Sequence, residues 1–483
     1  MSLTHLHDRE RGRCGVVPKV RTWQLTVGAA VVGLALAAGV VAAAGPWDSG
    51  QRKAERQWAV AHGPLGGVHH ERPAPRRPAP APSAPAVLAA VGGPRTTSVK
   101  APATAPADLA ETLGPLLADP GLGPAPTACV VDLVTGERLY GKGATTPMTP
   151  ASSVKIATAA AALTALGPEH RIPTTVVATA EAKEIILVGG GDATLDRAGL
   201  ARLAERTVRV LRDRRADSIR LTHDTSLYTG PLLHPIGPND NIAPVSALMV
   251  DQGRNDPEST GDAVRTADPA GEAARVFATM LEGRGIRVTD TPRPGRAAAR
   301  AVPLAQVFSA PLSAVVERML TSSDNDIAES LARQTAVATG AEADFAGAGQ
   351  AVTAQLRRLQ VPLTGVRIAD GSGLSRQDKV SAALLTTLLA RSADPAHPEL
   401  RPVLTGLPVA GFTGTLESRY EPSSAGSGLV RAKTGTLTGV NALAGTVVAP
   451  GGRLLGFAFL AGGTPSPGAA QPALDRLAAA LAE

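Results

Sequence analysis

Residues 152–155 read Ser-Ser-Val-Lys, just after Pro150, and open a stretch (ASSVKIATAAAALTAL) with helical spacing and good helix formers. On a helix, positions i and i+3 share a face, which brings the Lys155 amine within hydrogen-bond reach of the Ser152 hydroxyl. A serine hydroxyl is a weak nucleophile until a base takes its proton, and a lysine whose pKa is lowered by burial or nearby cations can do so. A helix N-terminus adds a backbone N–H and positive partial charge at a reacting carbonyl. Taken alone, the tetrapeptide fits a solvated helix face as well as a nucleophile.

Two further clusters carry polar groups that could face one cleft. Ser323-Asp324-Asn325 separates two helical runs, LSAVVERML and IAESLARQ. The serine could relay a proton and the Asn325 amide could hold a substrate carbonyl. A helix N-cap is the plain structural reading, and both roles are compatible. Lys433-Thr434-Gly435-Thr436 opens the C-terminal β region. Lys433 and the two threonines could bind a carboxylate, and the Thr436 N–H could complete an oxyanion hole. Gly435, lacking a Cβ, would let a ligand backbone lie against the strand. By itself Lys-Thr-Gly also fits a turn or an edge strand.

Of the 48 basic residues only eight are lysine: 19, 53, 100, 142, 155, 183, 379 and 433. Basic positions in this chain are therefore arginine by default. Arginine does not deprotonate in a protein, whereas lysine can. A lysine at 155 is the residue that base chemistry demands.

The order S-x-x-K, S-D-N, K-T-G is the signature of serine penicillin-binding proteins and class A β-lactamases. Ser323 follows Lys155 by 168 positions, so an inserted domain is expected between the first two motifs. In this respect the chain resembles the class C low-molecular-mass penicillin-binding proteins, the D-alanyl-D-alanine carboxypeptidase/endopeptidase family. Further matching segments are GGGDATL (189–195), APVSALMVD (243–251), DGSGLSR (370–376) and LPVAGFTGTL (407–416), so the resemblance covers roughly 108–483. It implies Ser152 as nucleophile, Lys155 as its base, Ser323 and Asn325 as the second motif, and Lys433, Thr434, Gly435 and Thr436 on the substrate-carboxylate side. It also implies peptidoglycan stem peptides as substrate, β-lactams as acylating inhibitors, and no cofactor or metal. Class A β-lactamases resemble one another in a Glu-x-x-x-Asn element for the deacylating water; no asparagine occurs here between 326 and 432. A β-lactam should then acylate the protein and leave slowly. The reading from another class is a non-catalytic peptidoglycan-binding or sensor protein on the same fold. The presence of every motif residue argues against it.

Other chemistries find little support. His170, His223, His234 and His397 lie away from the motif serines in loop-like sequence, which suggests surface or loop histidines and neither a Ser-His-Asp triad nor a metal site. The triple glycine before Asp192 lacks the Lys-Ser/Thr of a phosphate loop and reads as a tight turn. Two cysteines, 14 and 129, make no disulfide scaffold. The net charge of +6 belongs to residues 1–107, with 13 basic and 5 acidic side chains; the remainder is slightly acidic, with 35 against 37. A polyanion-binding body would carry that charge on its folded part, so no nucleic-acid partner is expected.

The elements that must position these residues follow from patterning. The expected fold is α/β in the broad sense (α+β): a serine β-lactamase/penicillin-binding-protein-like antiparallel sheet flanked by helices, a helical lobe, and the insertion. The sheet-bearing body should comprise 108–180 and 300–483, with 181–299 inserted. Its opening strands form a hairpin around Thr135-Gly136. Helical character is expected from about 303 to 360 and again near 380–392, followed by strands Ala442–Val448 and Arg453–Leu460 and a last helix, Leu474–Leu481. Ahead of the body, basic residues 1–21 precede 24 uncharged positions, Thr22 to Gly45, with tryptophans at 23 and 47. This is an anchor long enough to cross a bilayer, or a signal peptide cut near Ala42-Ala43-Ala44. Either would place the body in the cell envelope, outside the cytoplasm. Residues 46–107 are a Pro/Ala-rich spacer, with ten prolines from Pro64 to Pro106.

Overall fold

The computed structural model describes residues 106–179 and 183–483. The expected cytoplasmic segment, the membrane or signal segment 22–45, and the spacer up to residue 105 lie outside them. Among the described residues, no helix is long and apolar enough to cross a membrane.

After helix α1 (Pro106–Leu116), strands β1 (Thr127–Asp132) and β2 (Arg138–Lys142) form the expected hairpin. Its turn closes because Asp132 Oδ1 accepts the Val134 and Thr135 N–H groups, and Gly136 takes φ +73°. A 3₁₀ turn (Ala151–Val154) then leads into α2 (Lys155–Leu166). Every α2 residue from Lys155 to Leu163 is buried, and most are alanine. A helix apolar all round belongs inside a core, and short side chains let its neighbours pack close.

The next segment builds a second sheet: β3 (Pro173–Ala178), β4 (Glu184–Gly189), α3 (Arg197–Asp213), β5 (Ser218–Asp224), α4 (Pro269–Glu282), short strands β6 (Arg287–Val288) and β7 (Arg293–Pro294), and β8 (Val302–Phe308). The strand order is β6-β5-β4-β3-β8, with β7 also on β5; β3 is antiparallel to both neighbours, while β4, β5, β6 and β7 pair in parallel. This sheet starts at Pro173 and ends at Phe308, so its strands reach beyond both ends of 181–299. Residues 302–308 are also strand where helix was expected, because Val302–Phe308 pairs along β3. Tertiary pairing outweighs the weak local signal there. Helices α3 and α4 cover the sheet with a separate apolar core that includes Leu203, Leu211, Phe277 and Leu281.

The helical lobe follows as α5 (Leu312–Ser322), α6 (Asn325–Thr339), α7 (Phe345–Arg358), α8 (Ala382–Ala393) and the short α9 (Arg401–Thr405). Strands β9 (Val430–Leu437), β10 (Val440–Val448) and β11 (Leu454–Gly462) and helix α10 (Pro467–Ala479) close the chain. The first sheet is antiparallel throughout, in the order β2-β1-β11-β10-β9, so β11 pairs with β1 across the whole sequence. Its two faces are both buried, and alternate side chains go to different cores. Ala128, Val130, Phe457 and Phe459 pack with α1 and α10, while Cys129, Val131, Ala458 and Leu460 pack with the helical lobe. That explains why these strands read as continuous apolar runs. Helix α10 starts earlier than expected because Ser466 caps it, accepting the Ala469 N–H, with Pro467 at the first helical position.

Candidate active site

The 3₁₀ turn ahead of α2 separates its two serines by chemistry. Ser153 is fully buried and its hydroxyl donates to the Pro150 carbonyl at 2.8 Å. Ser152 is half-buried, lines a cleft of about 570 Å³, and accepts a hydrogen bond from Lys155 Nζ at 3.0 Å. Only Ser152 is free to react.

Lys155 is fully buried, and its other two acceptors are Asn325 Oδ1 at 2.7 Å and the Ser372 carbonyl at 2.7 Å. Burial is the dominant influence on this amine and lowers its pKa from 10.5 to about 8, against the opposing pull of the Asp370, Glu329, Asp324 and Asp378 carboxyl groups. The lysine thus has an accessible neutral form beside a serine hydroxyl, which is what a general base needs.

Between α5 and α6 the second cluster performs two jobs together. Asp324 caps α6, its carboxylate accepting the Ile327 N–H at 3.0 Å, and Ser323 takes the left-handed conformation (φ 57°) that ends α5. That sharp reversal turns Ser323 and Asn325 into the cleft. Ser323 Oγ accepts from Lys433 Nζ at 2.8 Å, and Asn325 Nδ2 donates to the Asn241 carbonyl at 3.1 Å.

Strand β9 supplies the third wall. Thr434 and Thr436 line the cleft, with Thr434 bonded to Thr415 at 2.8 Å. Lys433 is fully buried; burial lowers its pKa well below 10.5, and the charges of Lys155 and Arg419 add to the effect. Gly435 corrects the sequence reading. A Cβ there would stand 2.5 Å from the Pro150 carbonyl oxygen and 3.2 Å from the Ser153 nitrogen. What lies against this glycine is therefore the protein's own Pro150–Ser153 turn, and a ligand backbone has no room there.

The fold thus brings Ser152, Lys155, Ser323, Asn325, Lys433, Thr434 and Thr436 to one cleft. A family model for D-Ala-D-Ala carboxypeptidase 3 (S13) matches residues 109–263 and 254–481. The chain belongs to the D-Ala-D-Ala carboxypeptidase S13 family. This S13 chain is 38% identical over 387 residues to carboxypeptidase DacB of Mycolicibacterium smegmatis, covering 76% of this chain and 82% of that protein. It is 31% identical over 428 residues to the D-alanyl-D-alanine carboxypeptidase of an Actinomadura species, covering 70% and 78%. The crystal structure of penicillin-binding protein 4 from Haemophilus influenzae superposes with a TM-score of 0.63 at 21% identity, over 77% of this chain and 97% of that one, and shares the fold. The resemblance read from the three motifs is therefore correct, and the chain is a D-Ala-D-Ala carboxypeptidase.

Several residues of the S13 cleft escaped the sequence reading. Asn239, Asn241 and Asp262 come from the insertion, and Arg419 and Gln471 from the C-terminal part. Nothing in their local sequence marks them, since distant loops deliver them to the cleft. His234 and His223 were expected at the surface or in loops. His223 lies on β5 and is 5% exposed; His234 does sit in a loop but is 1% exposed, its Nε2 3.0 Å from Asp370 Oδ2. The proximity of DGSGLSR to the site, implied by the family alone, is borne out by the bond from Lys155 to Ser372.

Proposed function

We propose that Ser152 is the nucleophile of a serine D-Ala-D-Ala carboxypeptidase acting on peptidoglycan stem peptides outside the cytoplasm. The observation that carries this reading is the pairing of the Ser152 hydroxyl with a fully buried, pKa-depressed Lys155. Neutral Lys155 takes the Ser152 proton as Oγ attacks the carbonyl carbon of the penultimate D-Ala. The tetrahedral adduct collapses and the C–N bond breaks. The proton that Lys155 took passes by way of the Ser323 hydroxyl, which Lys433 holds, to the departing D-Ala amine, leaving Lys155 neutral again. Water gives a proton to Lys155 as it attacks the ester carbonyl. When the ester C–O bond breaks, Lys155 returns that proton to Ser152 Oγ, regenerating both residues.

Asn325 supports two roles, orienting Lys155 and presenting its amide to the peptide. Lys433, Thr434 and Thr436 supply the positive and hydroxyl groups that a terminal carboxylate needs, and Gly435 lets β9 press against the Ser152 turn. A β-lactam fits the same reaction, with its ring carbonyl attacked in the same way. The same acyl transfer serves an endopeptidase if the leaving amine belongs to a cross-bridge. Residues 22–45 would hold or direct the body to the cell envelope.

The test is release of free D-alanine from a synthetic stem peptide ending in D-Ala-D-Ala. Wild-type protein should release it and Ser152→Ala should not. Binding of the peptide without release by wild type would favour the non-catalytic sensor reading.

A further inference from the structure

Three buried ionisable groups surround the 370–375 loop whose Ser372 carbonyl meets Lys155, and they take no direct part in the chemistry above. His234, Glu329 and Asp370 are each exposed by 2% or less. His234 Nδ1 accepts the Ile236 N–H at 3.3 Å, so Nε2 carries the ring proton and points it at Asp370 Oδ2, 3.0 Å away. The Phe345 ring meets the imidazole edge-on at 5.1 Å and fixes its plane.

Asp370 converts that bond into loop geometry. Its carboxylate accepts the Gly373 N–H and the Ser375 N–H, each at 2.6 Å. Glu329 on α6 accepts the Gly371 and Ser372 N–H groups at 3.0 and 2.8 Å. Four backbone N–H groups of one short loop are thus held by two carboxylates, and the loop's Ser372 carbonyl is aimed at Lys155 Nζ. Burial alone would raise the Asp370 pKa, but the hydrogen bonds from His234 and Asp378 outweigh it and keep the carboxyl ionised. On its other side, His234 anchors the segment whose Ile236 lines the cleft.

We propose that His234 is a positioning residue for acylation: its Nε2–H locks Asp370, Asp370 locks the 370–375 loop, and the loop's Ser372 carbonyl sets Lys155 against Ser152. The proposal rests on the reading of Lys155 as the base. The groups facing His234 are Asp370 and, 3.9 Å away, Glu329. Removing the imidazole donor loosens the Ser372 carbonyl from the Lys155 ammonium and weakens ionised Asp370. Both changes disfavour the charged amine. The acidic limb of the acylation profile should therefore move to lower pH while the plateau rate falls.

The test is the second-order acylation rate by a labelled penicillin against pH, per folded molecule, together with kcat and KM on a D-Ala-D-Ala peptide. His234→Leu removes both ring contacts. His234→Gln can still donate from its amide to Asp370, whereas His234→Asn keeps only the side toward Ile236. His234→Leu should lose about 10- to 100-fold in plateau rate, the range for a reacting group displaced by near 1 Å. The loss should appear in kcat with KM little changed and with the acidic limb moved down. His234→Gln should stay within a few-fold of wild type, and His234→Asn should behave like His234→Leu. A plateau within a few-fold of wild type in His234→Leu, or a loss with the limb unmoved, would overturn the proposal. If His234→Leu does not fold, equal rates in His234→Gln and His234→Asn would overturn it. Should the underlying reading of Lys155 be wrong, Lys155→Arg would be acylated within a few-fold of wild type whatever stands at 234.

Discussion

Lys155 and Lys433 are both fully buried, and each donates to the hydroxyl of a different serine, Ser152 at 3.0 Å and Ser323 at 2.8 Å. Each lysine sits on a different motif, and the charge of Lys155 is one of the influences that lower the Lys433 pKa. Two buried cations this close favour a state in which at least one is neutral. In the mechanism we propose, the neutral lysine is the base for Ser152 and the Lys433–Ser323 pair is the proton route to the leaving amine.

Lys155→Arg retains the charge but removes any usable lone pair at working pH. The second-order acylation rate should fall by roughly 10²–10⁴-fold, the range for a positioned acid–base group. A rate within a few-fold of wild type across pH would mean that the base lies elsewhere.

The pH dependence follows from the sign of the Lys155 shift. Acylation requires the neutral amine, whose pKa is about 8, so the rate should rise with pH through that value. Between pH 7 and a plateau above pH 9 the gain should be about ten-fold, the ratio of neutral fractions. A flat profile over that range would contradict the assignment.

The same shift has a consequence for stability. The folded value, about 8, lies below the ordinary lysine value of 10.5, so between these pH values the folded chain binds fewer protons than the unfolded one. Stability therefore increases as pH rises through that window, and below it the buried ammonium costs up to about 3 kcal/mol. Lys155→Met should raise the melting temperature at pH 7, with the gain shrinking toward pH 10.5. Calorimetry of both proteins at the two pH values checks this.

Gly435→Ala tests the contact between β9 and the Pro150–Ser153 turn. The new Cβ would stand 2.5 Å from the Pro150 carbonyl oxygen, so the turn carrying Ser152 must move. Overpacking of this kind costs about 1–3 kcal/mol. Labelling by penicillin should slow together with the loss in melting temperature. Unchanged labelling would mean that the turn tolerates the displacement.

The three motifs were legible because each is local. Ser152 and Lys155 share a turn, Ser323 and Asn325 flank one cap, and Lys433 to Thr436 lie on one strand. The flanking strands of the first sheet were legible for the same reason, as apolar runs bounded by Thr135-Gly136 and Pro450-Gly451-Gly452. His234 was not, because a buried histidine in loop sequence looks like a solvent-exposed one until Asp370, 136 positions away, meets it. Strand β8 was missed because its identity comes from pairing with β3, and the role of Gly435 because Pro150 is brought to it only by the fold.

The most direct measurement of the central assignment is to acylate the protein with a labelled penicillin, digest it, and map the label. The expected result is stoichiometric, slowly released label on the peptide containing Ser152, and none at all on Ser152→Ala. Ser153, its hydroxyl tied to the Pro150 carbonyl, and Ser323, held by Lys433, should remain unmodified. Label on either of those serines, or labelling that survives Ser152→Ala, would contradict the assignment.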